Sequence, residues 1–194
     1  LMAHFGIQKM GAIVCPCGPL NKEHELQYQL GDLQARVIVA AESLLPVVDK
    51  VRAQTALQHV FVVRYAELLP EAPAIDVPAE LLALRAAAAP APAGCEDFLA
   101  TVRASGSPAP VQIAMDDVAL MTYTSGTTGL PKGAMLTYGN ALFKTAAAAQ
   151  CNGVRSDDVL LSVAPLYHIA GMVMGVNVPV FTGATSVLMY RFDP

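Results

Sequence analysis

The sequence predicts an α/β fold of mostly parallel sheets flanked by helices. Three observations carry that expectation. Short runs rich in Val and Ile alternate with amphipathic segments of helical period, the pattern that lays parallel strands under covering helices. The 194 residues are 54% hydrophobic and only 14% charged, a balance that builds a buried core and excludes a disordered chain. A glycine-rich stretch, Tyr123 to Gly133, lies between the apolar runs Val118-Ala119-Leu120-Met121 and Ala134-Met135-Leu136, which reads as strand, loop, strand.

Taken in order, Phe5 to Pro19 gives a helix end and then Gly11-Ala12-Ile13-Val14-Cys15, a continuous apolar run suited to a buried strand. Asn21 is a good N-cap, and Leu26, Leu30 and Leu33 recur at i, i+4 and i+7, so an amphipathic helix follows. Arg36 to Ala40 is the next strand. Ser43 then caps a helix with the stripe Leu44, Val48 and Val51, and Pro46 falls in its first turn, where proline is tolerated. His59 to Val63 is another strand. Seven of the fourteen prolines lie between Pro70 and Pro110, beside an alanine run at Ala86 to Ala89. That stretch reads as a surface connector with short helices around Leu81–Arg85 and Phe98–Arg103.

Beyond the glycine-rich loop, Tyr138 to Cys151 is helical, with Leu142, Ala146 and Ala149 on one face and Asn152-Gly153 as its stop. Asp158 to Val163 is a strand ending at Pro165, a buried helix runs from Ile169 to about Val180, and Ser186 to Met189 is a strand. Val159 to Tyr190 carries no charge, which raises a membrane span as a rival. Pro165, Gly171, Gly175, Pro179 and Gly183 cut it into pieces too short for one, and strand, helix, strand is the better reading. The chain thus divides into an α/β part (1–69), a Pro/Ala-rich connector (70–110) and a phosphate-loop part (111–194).

Composition removes several function classes. Net charge is −4 with no basic block, so nucleic acid is not expected as a partner. Cys15, Cys17, Cys95 and Cys151 are too few and scattered for a disulfide framework. Cys15-Pro-Cys17 lacks the spacing of a metal site, so the pair reads as small buried hydrophobes, and no metal ligands are assigned. A cytoplasmic, reducing location fits. The chain opens at Leu1 with no signal-peptide pattern and stops at Phe192-Asp193-Pro194 without a closing helix, so both ends read as cuts and a fragment is expected.

The chemistry sits in Tyr123-Thr124-Ser125-Gly126-Thr127-Thr128-Gly129-Leu130-Pro131-Lys132-Gly133. Glycines allow backbone N–H groups to close on a ligand, and successive N–H groups form an anion-binding concavity. Ser and Thr hydroxyls add donors, and the lysine adds a point charge suited to phosphate. The motif differs from the common P-loop, which places glycine before its lysine and a hydroxyl after it; here Pro131 precedes Lys132 and Gly133 follows. The bland alternative is a solvent hairpin, which has no use for such an ordered array of donors.

Tyr123 to Gly133 resembles, without a break, the phosphate-binding signature of the adenylate-forming (AMP-binding) superfamily, which includes acyl- and aryl-CoA synthetases such as the long-chain fatty acid–CoA ligases. The resemblance implies that the chain is part of the large N-terminal domain of such an enzyme. It also implies ATP contacts at Thr124, Ser125, Gly126, Thr127, Thr128, Gly129 and Lys132, with Lys132 and Thr127 acting on the leaving phosphates. Pro165-Leu166-Tyr167-His168-Ile169-Ala170-Gly171 is a second constellation, at a strand end where ligands collect in α/β sheets. From position alone His168 is as well read as a structural histidine as a ligand contact. Acyl- and aryl-CoA synthetases have a Pro-Leu-aromatic-His segment of this kind, so the resemblance places Tyr167, His168 and Gly171 at the acyl/adenylate pocket. His4, His24 and His59 are left structural or solvated.

The implied reaction takes a carboxylic acid, with a fatty acid favoured because Ala170 to Gly175 is small and apolar; the alternative is that the same residues simply pack a buried helix. The acid attacks the α-phosphate of Mg2+-ATP, and coenzyme A then receives the acyl group. The aromatic-Gly-x-Thr-Glu segment, the ribose-binding aspartate and the C-terminal domain with its lysine have no counterpart here, so the isolated chain is not expected to turn over. The rivals are an aryl-CoA ligase, an acyl-AMP ligase, and a non-catalytic polyphosphate-binding module. Peripheral membrane contact is allowed by this reading, and it leaves chain length and oligomeric state open.

Overall fold

In chain order the elements are α1 (Met2–Lys9), α2 (Glu23–Leu33), β1 (Val37–Ala41), α3 (Leu45–Arg52), β2 (His59–Val63), α4 (Ala79–Ala86), β3 (Glu96–Asp97) and α5 (Phe98–Ala104). There follow β4 (Val118–Thr124), β5 (Lys132–Thr137), α6 (Tyr138–Cys151), β6 (Val159–Ser162), α7 (Ile169–Gly171), a π-helical stretch over Met172–Asn177, α8 (Val178–Thr182) and β7 (Thr185–Leu188). The computed structural model describes residues 1–65, 67, 69–86, 90–104, 106–107, 109–124 and 129–189. They form two units, Leu1–Gly18 with Pro108–Pro194, and Pro19–Ser107.

In the second of these units, β1 and β2 run parallel in register from Val37 opposite His59 to Ala41 opposite Val63. Val60 and Val62 are wholly buried, as suits a parallel strand covered by helices. The expected helix caps move slightly. The backbone N–H of Lys22, not Asn21, starts α2 by donating to Glu25 Oε2 at 2.9 Å, while the Asn21 amide reaches the buried Gln29. Leu26 and Leu30 are buried as expected, and Leu33 is half-buried. Ser43 lies in a 3-10 turn, because Pro46 must sit in the first turn of α3; the buried stripe is therefore Leu45, Val48 and Val51, not one containing Leu44.

The Pro/Ala-rich stretch holds the two expected helices, α4 and α5, and one element that composition did not announce. Glu96 and Asp97 return to the sheet as β3, parallel to β2, giving the order β1-β2-β3. Leu99 of α5 is buried. Asp97 caps α5 by accepting from Ala100 N–H at 2.7 Å, and its other oxygen takes the guanidinium of Arg64, which also reaches Glu67 Oε1 at 3.3 Å. His59, expected to be structural or solvated, pairs with Glu96 Oε1 at 2.7 Å.

In the other unit, β4 and β5 form an antiparallel hairpin whose register ends at Thr124 opposite Lys132. The strand expected over Gly11–Cys15 contracts to one bridging residue. Val14 N–H donates to Ala119 O at 3.1 Å and Val14 O accepts from Met121 N–H at 2.8 Å. The physical reason is that α1 runs to Lys9 and its closing turn consumes Met10 and Gly11, the latter at φ +71°. Val14, Ala119, Leu120 and Met172 form one core, with Ile7 and Tyr138 packed against it.

α6 has the expected bounds, capped by a box in which Thr137 and Asn140 exchange backbone-to-side-chain hydrogen bonds at 3.1 and 3.2 Å. Its buried face is Thr145, Ala148 and Ala149; Leu142, expected inside, is exposed. The reason is that α6 is packed through its C-terminal half, where Ala148 and Ala149 meet Val173 and Val178. β6 and β7 are parallel, Val159 opposite Thr185. The apolar run between Val159 and Met189 is thus strand, helix, strand, and no helix of the described residues is long and apolar enough to cross a membrane.

The helix after His168 is π-helical in the middle. Pro179 has no N–H to offer the carbonyl of Gly175 four residues back, and Ser186 Oγ donates to that carbonyl at 2.9 Å.

Candidate functional site

The hairpin mouth and the loop after β6 belong to the same unit. At the mouth, Thr124 and Lys132 are the last register pair, both exposed, and Thr124 Oγ1 donates weakly to Lys132 O at 3.5 Å. Ser125, Gly126, Thr127 and Thr128, four of the predicted nucleotide contacts, lie outside the described residues. Gly133 is explained by packing: a Cβ there would sit 2.8 Å from Met121 Sδ and 3.3 Å from the Tyr123 ring. Gly129 is different. Among the described residues, a Cβ there would meet nothing within 4 Å.

The second constellation is built by β6 and the helix that follows. His168 N–H donates to Pro165 O at 3.0 Å, which closes a turn after the strand. Its ring Nδ1 accepts from Ala170 N–H at 3.3 Å, so His168 is the N-cap of α7. Its carbonyl accepts from Met172 N–H at 2.9 Å. Tyr167 and His168 are exposed, whereas Gly171 and Gly175 are buried against the turn. A Cβ on Gly171 would overlap the Pro165 carbonyl and lie 2.7 Å from Ala164 O; one on Gly175 would overlap Ser162 Oγ and lie 2.9 Å from Leu166 Cδ2. For the two glycines this is the packing alternative that the sequence left open, and the small residues Ser162 and Ser186 beside Gly175 mark it.

Among the described residues no group of three His, Cys, Asp or Glu is placed to hold a metal ion. The four cysteines are thiols outside any disulfide, and Cys15 and Cys17 are half-buried rather than fully inside. Burial, with Cys15 beside it, pushes the Cys17 thiol up to about 12, so it stays protonated at neutral pH and is a poor nucleophile. A recess on α2, lined by His24, Tyr28, Asp32 and Gln54 among others, holds none of the candidate residues.

An exposed hydroxyl–lysine pair at a hairpin mouth, and an exposed histidine capping a helix after a parallel strand, suit a fold that binds an anionic substrate at its loops. The whole chain, residues 1–194, matches the family model of the AMP-binding enzymes, and the protein belongs to that family. It is 28% identical over 199 residues to a long-chain-fatty-acid–CoA ligase of Bacillus subtilis (strain 168), covering 100% of this chain and 36% of the relative. It is 31% identical over 195 residues to 4-coumarate–CoA ligase 3 of Oryza sativa subsp. japonica, covering 97% of this chain and 30% of the relative. The crystal structure of the anthranilate CoA ligase AuaEII in complex with anthranoyl-AMP superposes with a TM-score of 0.78 at 25% identity, over 98% of this chain and 33% of that one. The chain therefore spans about a third of the length of the relatives it matches.

Proposed function

We propose that this chain carries the nucleotide-phosphate grip and part of the acid-facing wall of an AMP-forming acid–thiol ligase. In that reaction a carboxylic acid attacks the α-phosphate of ATP, pyrophosphate leaves, and the resulting acyl-adenylate passes its acyl group to coenzyme A. The observation that carries the reading is the placement of the signature Tyr123 to Gly133 across a hairpin mouth, with Thr124 and Lys132 paired and exposed at its rim.

Within this reading Thr124, Ser125, Gly126, Thr127, Thr128, Gly129 and Lys132 hold the ATP phosphates. Lys132 and Thr127 neutralise the charge that builds on the leaving pyrophosphate. Tyr167, His168 and Gly171 border the acyl/adenylate pocket. The attacking acid needs no general base, because a carboxylate with a pKa of about 4 is already ionised at neutral pH. Mg2+ would come with the nucleotide, held by its phosphates, and the described residues offer it no ligand cluster of their own. A cytoplasmic setting accords with this chemistry. A fatty acid is the first choice of substrate, on the strength of the Bacillus relative. An aryl acid is the second, since the Oryza relative is a 4-coumarate–CoA ligase.

The test is acid-dependent ATP–pyrophosphate exchange in the full-length protein that carries this chain, with fatty and aryl acids offered in parallel. Lys132→Ala and Thr127→Ala should each lower exchange by roughly 100-fold or more, about 3 kcal/mol, the typical loss for one transition-state donor. Undiminished exchange in the double variant would overturn the assignment.

A further inference from the structure

The π-helical stretch Met172–Asn177 is tied to the sheet by one contact from outside the helix. Within it the helix is widened: Val178 N–H donates to Val173 O, five residues back instead of four. Pro179 makes the widening necessary. An α-helix would press its ring against the Gly175 carbonyl, and proline has no N–H to offer that oxygen. The carbonyl finds its donor on β7 instead, where Ser186 Oγ donates to it at 2.9 Å. Ser186 is placed there by the sheet. It is the register partner of Leu160, which packs against the cluster of Val173 and Val178, so both side chains face the helices. A hydroxyl thus stands where the alternation of a half-buried strand calls for an apolar side chain. On β6, Ser162 Oγ fills the space that a Cβ on Gly175 would take, and Gly171 is seated against the Pro165 carbonyl. The helix is therefore seated along β6 and tied at a single point to β7.

We infer that Ser186 is a positioning residue for the acid side of the site. By holding the Gly175 carbonyl out of the helix it fixes the π register of Met172–Asn177. The register in turn orients the wall that Tyr167, His168 and Gly171 begin in the proposed reaction, on which this part rests. Ser186 acts through Gly175 and need touch no substrate. The nucleotide grip is built separately, on β4 and β5, where Val14 is the outside partner of β4. The acid should therefore feel the loss of Ser186, and ATP should not.

Two measurements on the full-length protein test the lock and its consequence separately. Hydrogen–deuterium exchange reads the lock. Ser186→Ala should raise uptake over residues 172–182, and Ser186→Thr, which keeps the hydroxyl, should not. Unchanged uptake in Ser186→Ala would show that the register holds itself, and would sink the lock. Acid-dependent ATP–pyrophosphate exchange reads the consequence. Ser186→Ala should raise KM for the acid about 5-fold or more while KM for ATP moves less than about 2-fold, and Ser186→Thr should restore both. The double variant Pro179→Ala/Ser186→Ala gives Gly175 a main-chain N–H again. Its Tm should recover while KM for the acid stays high, because the register is then α-helical; should Ser186→Ala fail to fold, this variant carries the test. An unchanged KM for the acid, equal rises in both KM values, or a double variant whose KM recovers with its Tm would reduce Ser186 to a structural contact and overturn the inference. A wild type without acid-dependent exchange removes the proposed reaction and the acid side with it, and deuterium uptake then decides the lock alone.

Discussion

Gly171 and Gly175 are both buried on the helix after β6, but the atoms they face differ in freedom. Gly171 faces the carbonyls of Pro165 and Ala164, which are backbone and already committed to the turn that carries His168. Gly175 faces Ser162 Oγ and Leu166 Cδ2, which can rotate aside, and Ser162 Cβ at 3.1 Å, which has to give by only a few tenths of an ångström. Gly171→Ala should therefore cost more than Gly175→Ala, about 3 kcal/mol against about 1 kcal/mol on the usual scale of overpacking. Chemical denaturation of the two variants checks the order, and equal losses would show that the turn yields as easily as the side chains. The same geometry bears on the small apolar run that first suggested an alkyl tunnel. A bulky residue at either glycine enters the packing against β6, so a changed substrate preference in such a variant reports on this contact as much as on pocket shape.

At the level of elements, β3 and α5 are held to the sheet by polar contacts as well as by the buried Leu99. The N–H of Ala100 is the main cause that holds the Asp97 carboxyl below the usual carboxylate range; desolvation pushes the other way, and the Arg64 guanidinium adds to the lowering. Burial works against the charge of Arg64, but Asp97 and Glu67 outweigh it and raise its pKa. The consequence for pH has a definite sign. A carboxyl whose folded pKa lies below its unfolded one contributes stability that is complete above the unfolded value, about 3.9 for Asp, and is lost as pH falls through the folded value. Thermal melts should therefore show the native chain losing stability on the acid side of about pH 4, and Asp97→Asn should flatten that limb while lowering Tm at neutral pH. An acid limb of undiminished steepness in the variant would assign it to other carboxyls. The N-terminus of α6 is closed instead by uncharged groups, Thr137 and Asn140.

Across the whole molecule, one face of the β6–β7 pair stands out. Along β6, Leu160 and Ser162 turn towards the helices, while Val159 and Leu161 are 68% and 60% exposed, and Val187, the register partner of Leu161, is open on the same face. Parallel strands are ordinarily covered on both faces. A contiguous apolar stripe of this kind is a liability for association. This chain on its own should bind a hydrophobic dye and associate with rising concentration, and Leu161→Lys should reduce both without lowering Tm. Light scattering that is indifferent to the substitution would place the association elsewhere.

The sequence by itself determined the types and order of the principal elements and, through the signature stretch, the family. These are local properties. The Val-rich run of β2 and the Thr137-x-x-Asn140 cap of α6 act over a few residues, and the donors of Tyr123 to Gly133 are contiguous. Only the tertiary structure decided which residues face inward and which contacts close the turns. Val14 bridging Leu120, Asp97 drawing the proline-rich stretch back to the sheet, Leu142 turned outward and Ser186 completing the carbonyl of Gly175 all depend on partners elsewhere in the chain. So does the assignment of Gly171 to packing, because the carbonyl it rests on is brought there by a turn. A periodic pattern encodes which side of an element is apolar, but the neighbour that side meets is set by how the chain returns.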